Sequence, residues 1–188
     1  MLNSIVSILD SGGAAGGSTS YESIATANGT GSSAVITFSS IPSTYKHLQL
    51  RVNGRCASGA ITDAYLKFNN DTGSNYAKHW FFAFDSGGIY TSTATSTTPP
   101  SIGYVQGYDT NPTTVAVIDI LDYQSTTKYK TARYITGSPE QQTASQGAIV
   151  FGSNLWLNSG TAINQIDITV ASSNWSSSST FALYGIKG

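Results

Sequence analysis

The chain has 188 residues, a length that suits one domain with a sizeable core. Nine Lys and Arg residues against ten Asp and Glu residues give a formal net charge of -1, which removes the electrostatic basis for binding nucleic acid or an anionic membrane. Cys56 is the single cysteine, so one chain has neither an internal disulfide nor a cysteine-rich zinc site.

Residues 1–18 combine a short apolar segment with a linker of small residues. Asn3, Ser4 and Ser7 interrupt the segment and no basic region precedes it, so it predicts neither a signal peptide nor a membrane span. We predict an arm that docks on a neighbouring subunit or a particle surface, because exposed apolar clusters are costly in water. A frayed terminus is the alternative, and deleting residues 2–17 would impair assembly only in the first case. The apolar arm residues are Leu2, Ile5, Val6, Ile8 and Leu9.

Residues 19–188 form the predicted β-domain, in which apolar residues alternate with Ser, Thr and Asn. The turn residues Asn28 to Gly31 predict a hairpin between the first two strands. The clearest alternation places Leu48, Leu50 and Val52 on one strand face. The predicted strands are Tyr21–Thr26, Ala34–Phe38, Tyr45–Asn53, Ala64–Phe68, Ala77–Phe84, Thr114–Leu121, Tyr129–Ile135, Ala148–Gly152 continuing to Leu157, Ile163–Val170 and Thr180–Ile186.

Eight to ten such strands, separated by Gly, Asn, Pro and Ser clusters, predict an all-β fold: an antiparallel two-sheet β-sandwich with jelly-roll topology. No long helix is expected. The Thr/Ser-rich stretch from Ile89 to Pro100 is interpreted as an exposed loop that its prolines stiffen.

Residues with catalytic or metal-binding chemistry are few and scattered. Paired carboxylates are a requirement of glycoside hydrolysis, but neither Asp119 with Asp122 nor Asp109 with Glu140 lies in a motif that positions a second group. The two histidines, His47 and His79, have no neighbouring ligands at metal-site spacing. Cys56 has no adjacent base and is interpreted as structural. We therefore predict no catalytic residue, no metal and no cofactor.

Two further patterns have both a functional and a structural interpretation. The segment Phe68–Tyr76 is dense in Asn, Asp and Gly like a calcium loop, but it lacks the twelfth-position Glu, and a tight turn is favoured. Aromatic residues in or beside loops are a candidate platform for sugar rings, although most aromatic residues of a sandwich fill its interior. These residues are Tyr104, Tyr108, Trp156 and Trp175.

Four passages resemble a family of virion proteins of tailed phages, common among phages of cyanobacteria and other aquatic bacteria. They are Tyr21–Thr26, Ile36–Arg51, the turn Phe68–Tyr76 and the terminal Phe181–Gly188. Together they bracket nearly the whole chain after residue 20, whereas the middle from Phe81 to Thr161 does not align.

The resemblance implies a non-enzymatic structural component of the virion, either a capsid decoration (cement) protein or a fibre or tail appendage. It also implies a β-sandwich that assembles as a small homo-oligomer, often a trimer, and contacts the major capsid protein or another virion protein. In a decoration protein the arm joins copies or neighbouring capsomers. In a tail appendage the loops from Tyr90 to Tyr108 touch the host surface, with Tyr90, Tyr104 and Tyr108 as the candidate contacts.

Overall fold

The computed structural model describes residues 20–59, 61–84, 87–108, 110–111, 114–139 and 147–188. The predicted arm, with Leu2, Ile5, Val6, Ile8 and Leu9, lies outside these residues, and so do Asp109 and Glu140. The arm therefore stays a prediction.

Twelve strands make up the described part of the chain. They are β1 (Tyr21–Asn28), β2 (Val35–Phe38), β3 (His47–Gly54), β4 (Thr62–Phe68), β5 (Tyr76–Phe84), β6 (Ile89–Thr97), β7 (Ser101–Val105), β8 (Thr114–Leu121), β9 (Lys130–Ser138), β10 (Ala148–Trp156), β11 (Ile166–Val170) and β12 (Thr180–Ile186). All of the strand pairs are antiparallel. An eight-stranded sheet has the order β1-β12-β3-β8-β9-β10-β5-β6, and a four-stranded sheet has the order β2-β11-β4-β7.

These two sheets confirm the predicted all-β antiparallel sandwich. The described residues contain no helix long and apolar enough to cross a membrane. The core lies between the sheets, where alternate residues of each strand meet: Leu48, Leu50 and Val52 of β3 are buried, and the residues between them are not. Period-two alternation buries one face of a strand and leaves the other outside, which is why this pattern located β3 correctly.

The predicted hairpin between the first two strands is wrong. β1 pairs with β12 in the larger sheet, whereas β2 pairs with β11 in the smaller one. The turn residues are held by the loop before β12 instead: the Gly29 N–H donates to the Ser179 carbonyl at 2.9 Å and the Gly31 N–H to the Trp175 carbonyl at 2.8 Å. The Asn-Gly turn thus carries the chain from one sheet to the other.

The interpretation of Ile89–Pro100 as a loop is also wrong, since Ile89–Thr97 is β6, the edge strand next to β5. Threonine is β-branched and suits an extended backbone, so a Thr/Ser run can form a strand without an apolar face. The short strand β7 (Ser101–Val105) follows it, and the sequence pattern missed this strand as well.

The larger sheet extends well beyond its partner. The strands β9, β10, β5 and β6 all lie on the far side of β8, and β7 at the edge of the smaller sheet packs against β9 and β10. The strands that widen the sheet arise from two chain segments, β5–β6 and β9–β10.

Candidate interaction surface

The outer face of the larger sheet carries a contiguous patch of exposed apolar side chains, here called the apolar band. Its central row is set by the strand register: Val117 lies opposite Ile135, Ile135 opposite Phe151, and Phe151 opposite Phe81. The rings of Phe81 and Phe151 contact each other with centroids 5.5 Å apart. The band consists of Phe81, Ile89, Val115, Val117, Ile135, Ile149 and Phe151.

The exposure of the band is large for side chains of this type. Phe151 and Phe81 are 48% and 47% exposed, and Ile89 at the sheet edge is 78% exposed. An apolar side chain left half in water forgoes roughly half of the 1.5–3 kcal/mol that full burial contributes. Soluble monomers rarely expose such contiguous patches unless they serve as contact sites.

The outer face of the smaller sheet is polar instead. Its centre is Asp167 on β11, which accepts hydrogen bonds from Thr37 Oγ1 at 2.7 Å and Gln165 Nε2 at 3.1 Å and pairs with Lys67 Nζ at 3.3 Å. The two outer faces therefore differ in character, and only the larger sheet presents an apolar one among the described residues.

Hollows lie between the protruding side chains of the band. One of about 190 Å³ is lined by Val115, Val117, Ile135, Gly137 and Ile149. Another of about 310 Å³ is lined by Phe81 and Phe151 together with His79 and Arg133. Gly137 has no side chain to fill the first hollow, so the surface has both protruding side chains and hollows.

A polar border flanks the band. In the next row along the strands, Asp119 lies opposite Arg133, and Gln49 Nε2 donates to Asp119 Oδ1 at 2.8 Å. Arg51 Nε donates to Gln49 Oε1 at 2.9 Å, and the Arg51 guanidinium lies 5.2 Å from the centre of the Tyr184 ring. The border thus carries charges of both signs beside an uncharged centre.

Two of the three predicted loop contacts meet at an aromatic cluster on the edge of the sandwich. The Tyr90 ring stacks on Phe82 with centroids 5.3 Å apart, and the Tyr104 ring contacts Phe82 at 6.2 Å. Tyr90 is 49% exposed, whereas Tyr104 is half-buried and burial raises its pKa. Tyr108 is half-buried in the connection after β7, and among the described residues its ring does not belong to the aromatic cluster.

Trp156 and Trp175 do not belong to a sugar platform, because both are buried in the core with 1% and 0% exposure. Trp175 packs edge-on against Phe181 at 4.8 Å, and its indole N–H donates to the Ile168 carbonyl at 3.3 Å. A large aromatic side chain contributes most to stability when it fills the interior of the sandwich, and both tryptophans do so.

The carboxylates and histidines considered for catalysis or metal binding have separate surroundings. Asp122, after the end of β8, pairs with Lys128 Nζ at 3.1 Å and Lys46 Nζ at 3.5 Å, and its pKa is lowered mainly by the hydrogen bond from Lys128. His47 Nδ1 accepts the Asp122 backbone N–H at 3.0 Å, whereas His79 is exposed on the outer sheet face. The described residues contain no cluster of three or more potential metal ligands. The Cys56 thiol is buried.

The Asn/Asp/Gly segment before β5 is a tight turn organised by one carboxylate. Asp71 accepts the Trp156 indole N–H at 2.8 Å, the Gly73 N–H at 2.9 Å and the Asn75 side-chain N–H at 3.0 Å. Desolvation alone would raise the pKa of Asp71, but these three hydrogen bonds outweigh it and the pKa is lowered. All three donors satisfy the carboxylate from within the turn and the core beneath it.

No protein-family model matches the chain, and no curated protein matches it.

The band is the feature that sequence reasoning missed. Strands β8 and β10 contain near-continuous apolar runs, Val115–Leu121 and Ala148–Phe151, which place apolar side chains on both faces. In a two-layer sandwich only one face of each strand can meet the core, so the second apolar face must lie outside. The excess of apolar residues in these two strands was therefore the sequence signal for an exposed apolar surface.

Proposed function

We propose that this chain is a non-enzymatic structural protein of a tailed-phage virion, a capsid decoration (cement) protein that stabilises the particle through contacts with its own copies and with the major capsid protein. The observation that supports this proposal best is the apolar band. A protein that works by contact needs a persistent apolar surface, whereas an enzyme of this size needs a concave pocket in which a few polar groups converge.

We also propose jelly-roll topology for the sandwich. Strands β1 to β4 alternate between the sheets, β7 and β8 do so again, and so do β11 and β12. The order β1-β12-β3-β8 in one sheet and β2-β11-β4-β7 in the other is the arrangement that two interlocked Greek keys produce. Viral capsid domains are among the proteins that use jelly rolls, and this supports the proposed role.

Cryo-electron microscopy of the phage particle that encodes the chain tests the function. We expect density for the sandwich on the capsid shell, and particles that lack the chain should release their DNA at a lower temperature. A particle that contains no copy of the chain would overturn the proposal. Density at the distal tip of the tail would instead favour a tail fibre or appendage.

The alternative is a tail fibre or appendage module that binds host-surface carbohydrate. The specific observation in its favour is Tyr90, which is half-exposed at the sheet edge and stacked on Phe82, as in an aromatic platform for a sugar ring. Glycan binding that is lost in Tyr90→Ala would support it. The control is Tyr129→Ala, since Tyr129 is equally exposed at 51% outside the cluster.

A further inference from the structure

We propose that the apolar band binds the apolar band of a second copy of this chain. This inference deepens the proposed function and rests on its claim that the protein works by contact, because it names the surface and the partner. Four features of the band support it: its area, its charge, its relief and its position in the sheet.

The area of the band is sufficient for a stable contact. A half-exposed phenylalanine presents on the order of 100 Å². Seven large apolar side chains with comparable exposure therefore present on the order of 600 Å², close to the ~800 Å² per partner that a standard interface buries. The largest apolar patch of an ordinary monomer is roughly 300–600 Å², so the band lies at the upper limit of that range.

The charge distribution permits two identical surfaces to meet. The band itself is uncharged, and its border contains Asp119 beside Arg51 and Arg133. Two copies of a border with both signs can pair opposite charges across the contact, whereas a border of one sign would repel its copy. The net charge of the whole chain, -1, adds almost no repulsion.

The relief of the band is self-complementary. A contact between identical surfaces needs protruding side chains and hollows on the same face. The rings of Phe81 and Phe151 protrude, and the hollow over Gly137, about 190 Å³ and lined by Val115 and Ile149, can receive an apolar side chain of a second copy.

The position of the band keeps it accessible. It lies on β8, β9, β10, β5 and β6, which form the central and distal part of the larger sheet, and it faces away from the smaller sheet. A second copy can approach without disturbing the core. Two bands can meet face to face, or three can converge on an axis that runs along the strands.

The test measures the mass of the purified full-length chain in solution, by light scattering over a range of concentrations. We expect a multiple of the 19.7 kDa chain mass. The variants Phe151→Glu and Val117→Glu should each weaken self-association by more than about tenfold, because they bury a charge at the contact. The control is Val35→Glu: Val35 is 39% exposed and Val117 is 37% exposed, but Val35 lies on the smaller sheet. It should associate like the unmodified chain.

A second measurement covers the case in which the charged variants fail to fold. Labelling the Cys56→Ser chain at Ile135→Cys with a pyrene maleimide should give excimer fluorescence between copies, whereas labelling at Val35→Cys should not. The inference would be overturned if the unmodified chain is a monomer. It would also be overturned if the oligomer keeps the same mass when residues of the band are substituted. The same holds if the chain becomes monomeric when residues 2–17 are deleted, because the arm would then be the contact. None of these outcomes removes the chain from the particle, so the proposed function is tested separately.

Discussion

At the level of single residues, two glycines on opposite faces of the larger sheet predict different responses to an added methyl group. Gly152 lies beneath the Tyr134 ring, and a Cβ there would meet Trp80 Cβ at 2.8 Å and clash with Tyr134. Gly137 faces outward, and its Cβ would meet only Val115 Cγ2, at 3.9 Å.

We therefore expect Gly152→Ala to lower the free energy of unfolding by about 1–3 kcal/mol through overpacking. The matched variant Gly137→Ala should change it by less than about 0.5 kcal/mol. Urea denaturation followed by tryptophan fluorescence measures both values. Equal effects of the two substitutions would contradict the packing that we describe around Gly152.

The Asp71 carboxylate organises a turn and also satisfies the buried indole of Trp156. Replacing it by alanine leaves the indole N–H without this acceptor, and we expect Asp71→Ala to cost about 1–3 kcal/mol of stability. The neighbouring exposed residue supplies the control, Thr72→Ala, which should be close to neutral. Thermal unfolding followed by circular dichroism compares the two, and an unchanged melting temperature in Asp71→Ala would show that the turn does not depend on its carboxylate.

At the level of elements, the sequence predicted strands where one face is apolar and the other polar. β3 and β12 are of this kind, with alternating buried positions such as Leu48, Leu50 and Leu183. β6 escaped prediction because Thr and Ser make up most of both faces beyond Ile89 and Tyr90, and its pairing with β5 depends on the folded structure. The apolar band was not predicted for the opposite reason. The excess apolar residues of β8 and β10 make these strands look as if both of their faces were buried in a core.

The smaller sheet depends on a charged residue at its centre. Asp167 on β11 is 2% exposed and joins Thr37 on β2 to Lys67 on β4. We expect Asp167→Ala to destabilise the fold by about 3 kcal/mol, because it removes the acceptor of several donors and leaves the ammonium of Lys67 without its counter-charge. Thr169→Ala, two residues along the same strand face, should cost well under half of that in the same denaturation experiment. Similar losses would show that β-propensity, not the ion pair, decides the stability of β11.

At the level of the whole molecule, the two outer faces of the sandwich differ in character. The outer face of the smaller sheet carries Asp167 and Lys67, which are satisfied by each other and by hydrogen-bonding neighbours, while the larger sheet exposes the apolar band. If the proposed self-association covers the band, the polar parts of the surface remain in contact with water.

The buried tyrosines predict how the stability of the whole sandwich depends on pH. Burial raises the pKa of the Tyr76 and Tyr134 phenols above the ordinary value of 10.0, because the core disfavours the phenolate. A group whose pKa is raised on folding contributes stability that is complete below pH 10 and is lost as the pH rises above it. Burial lowers the pKa of the Lys78 and Lys130 ammonium groups. These two groups act in the opposite sense, since their contribution to stability rises as the pH approaches 10.5.

We therefore expect the melting temperature to be level from about pH 6 to pH 9 and to fall steeply above pH 10. In the variant Tyr134→Phe the side chain at this position cannot ionise. Its melting temperature should therefore fall less steeply with pH than that of the unmodified chain, even if its stability at pH 7 is lower. Tyr129→Phe is the control, since Tyr129 is half-exposed and should leave the slope unchanged. The decisive measurement is the difference in slope between pH 9 and pH 11. If Tyr134→Phe and the unmodified chain lose stability in parallel, ionisation of the core tyrosine does not drive alkaline unfolding.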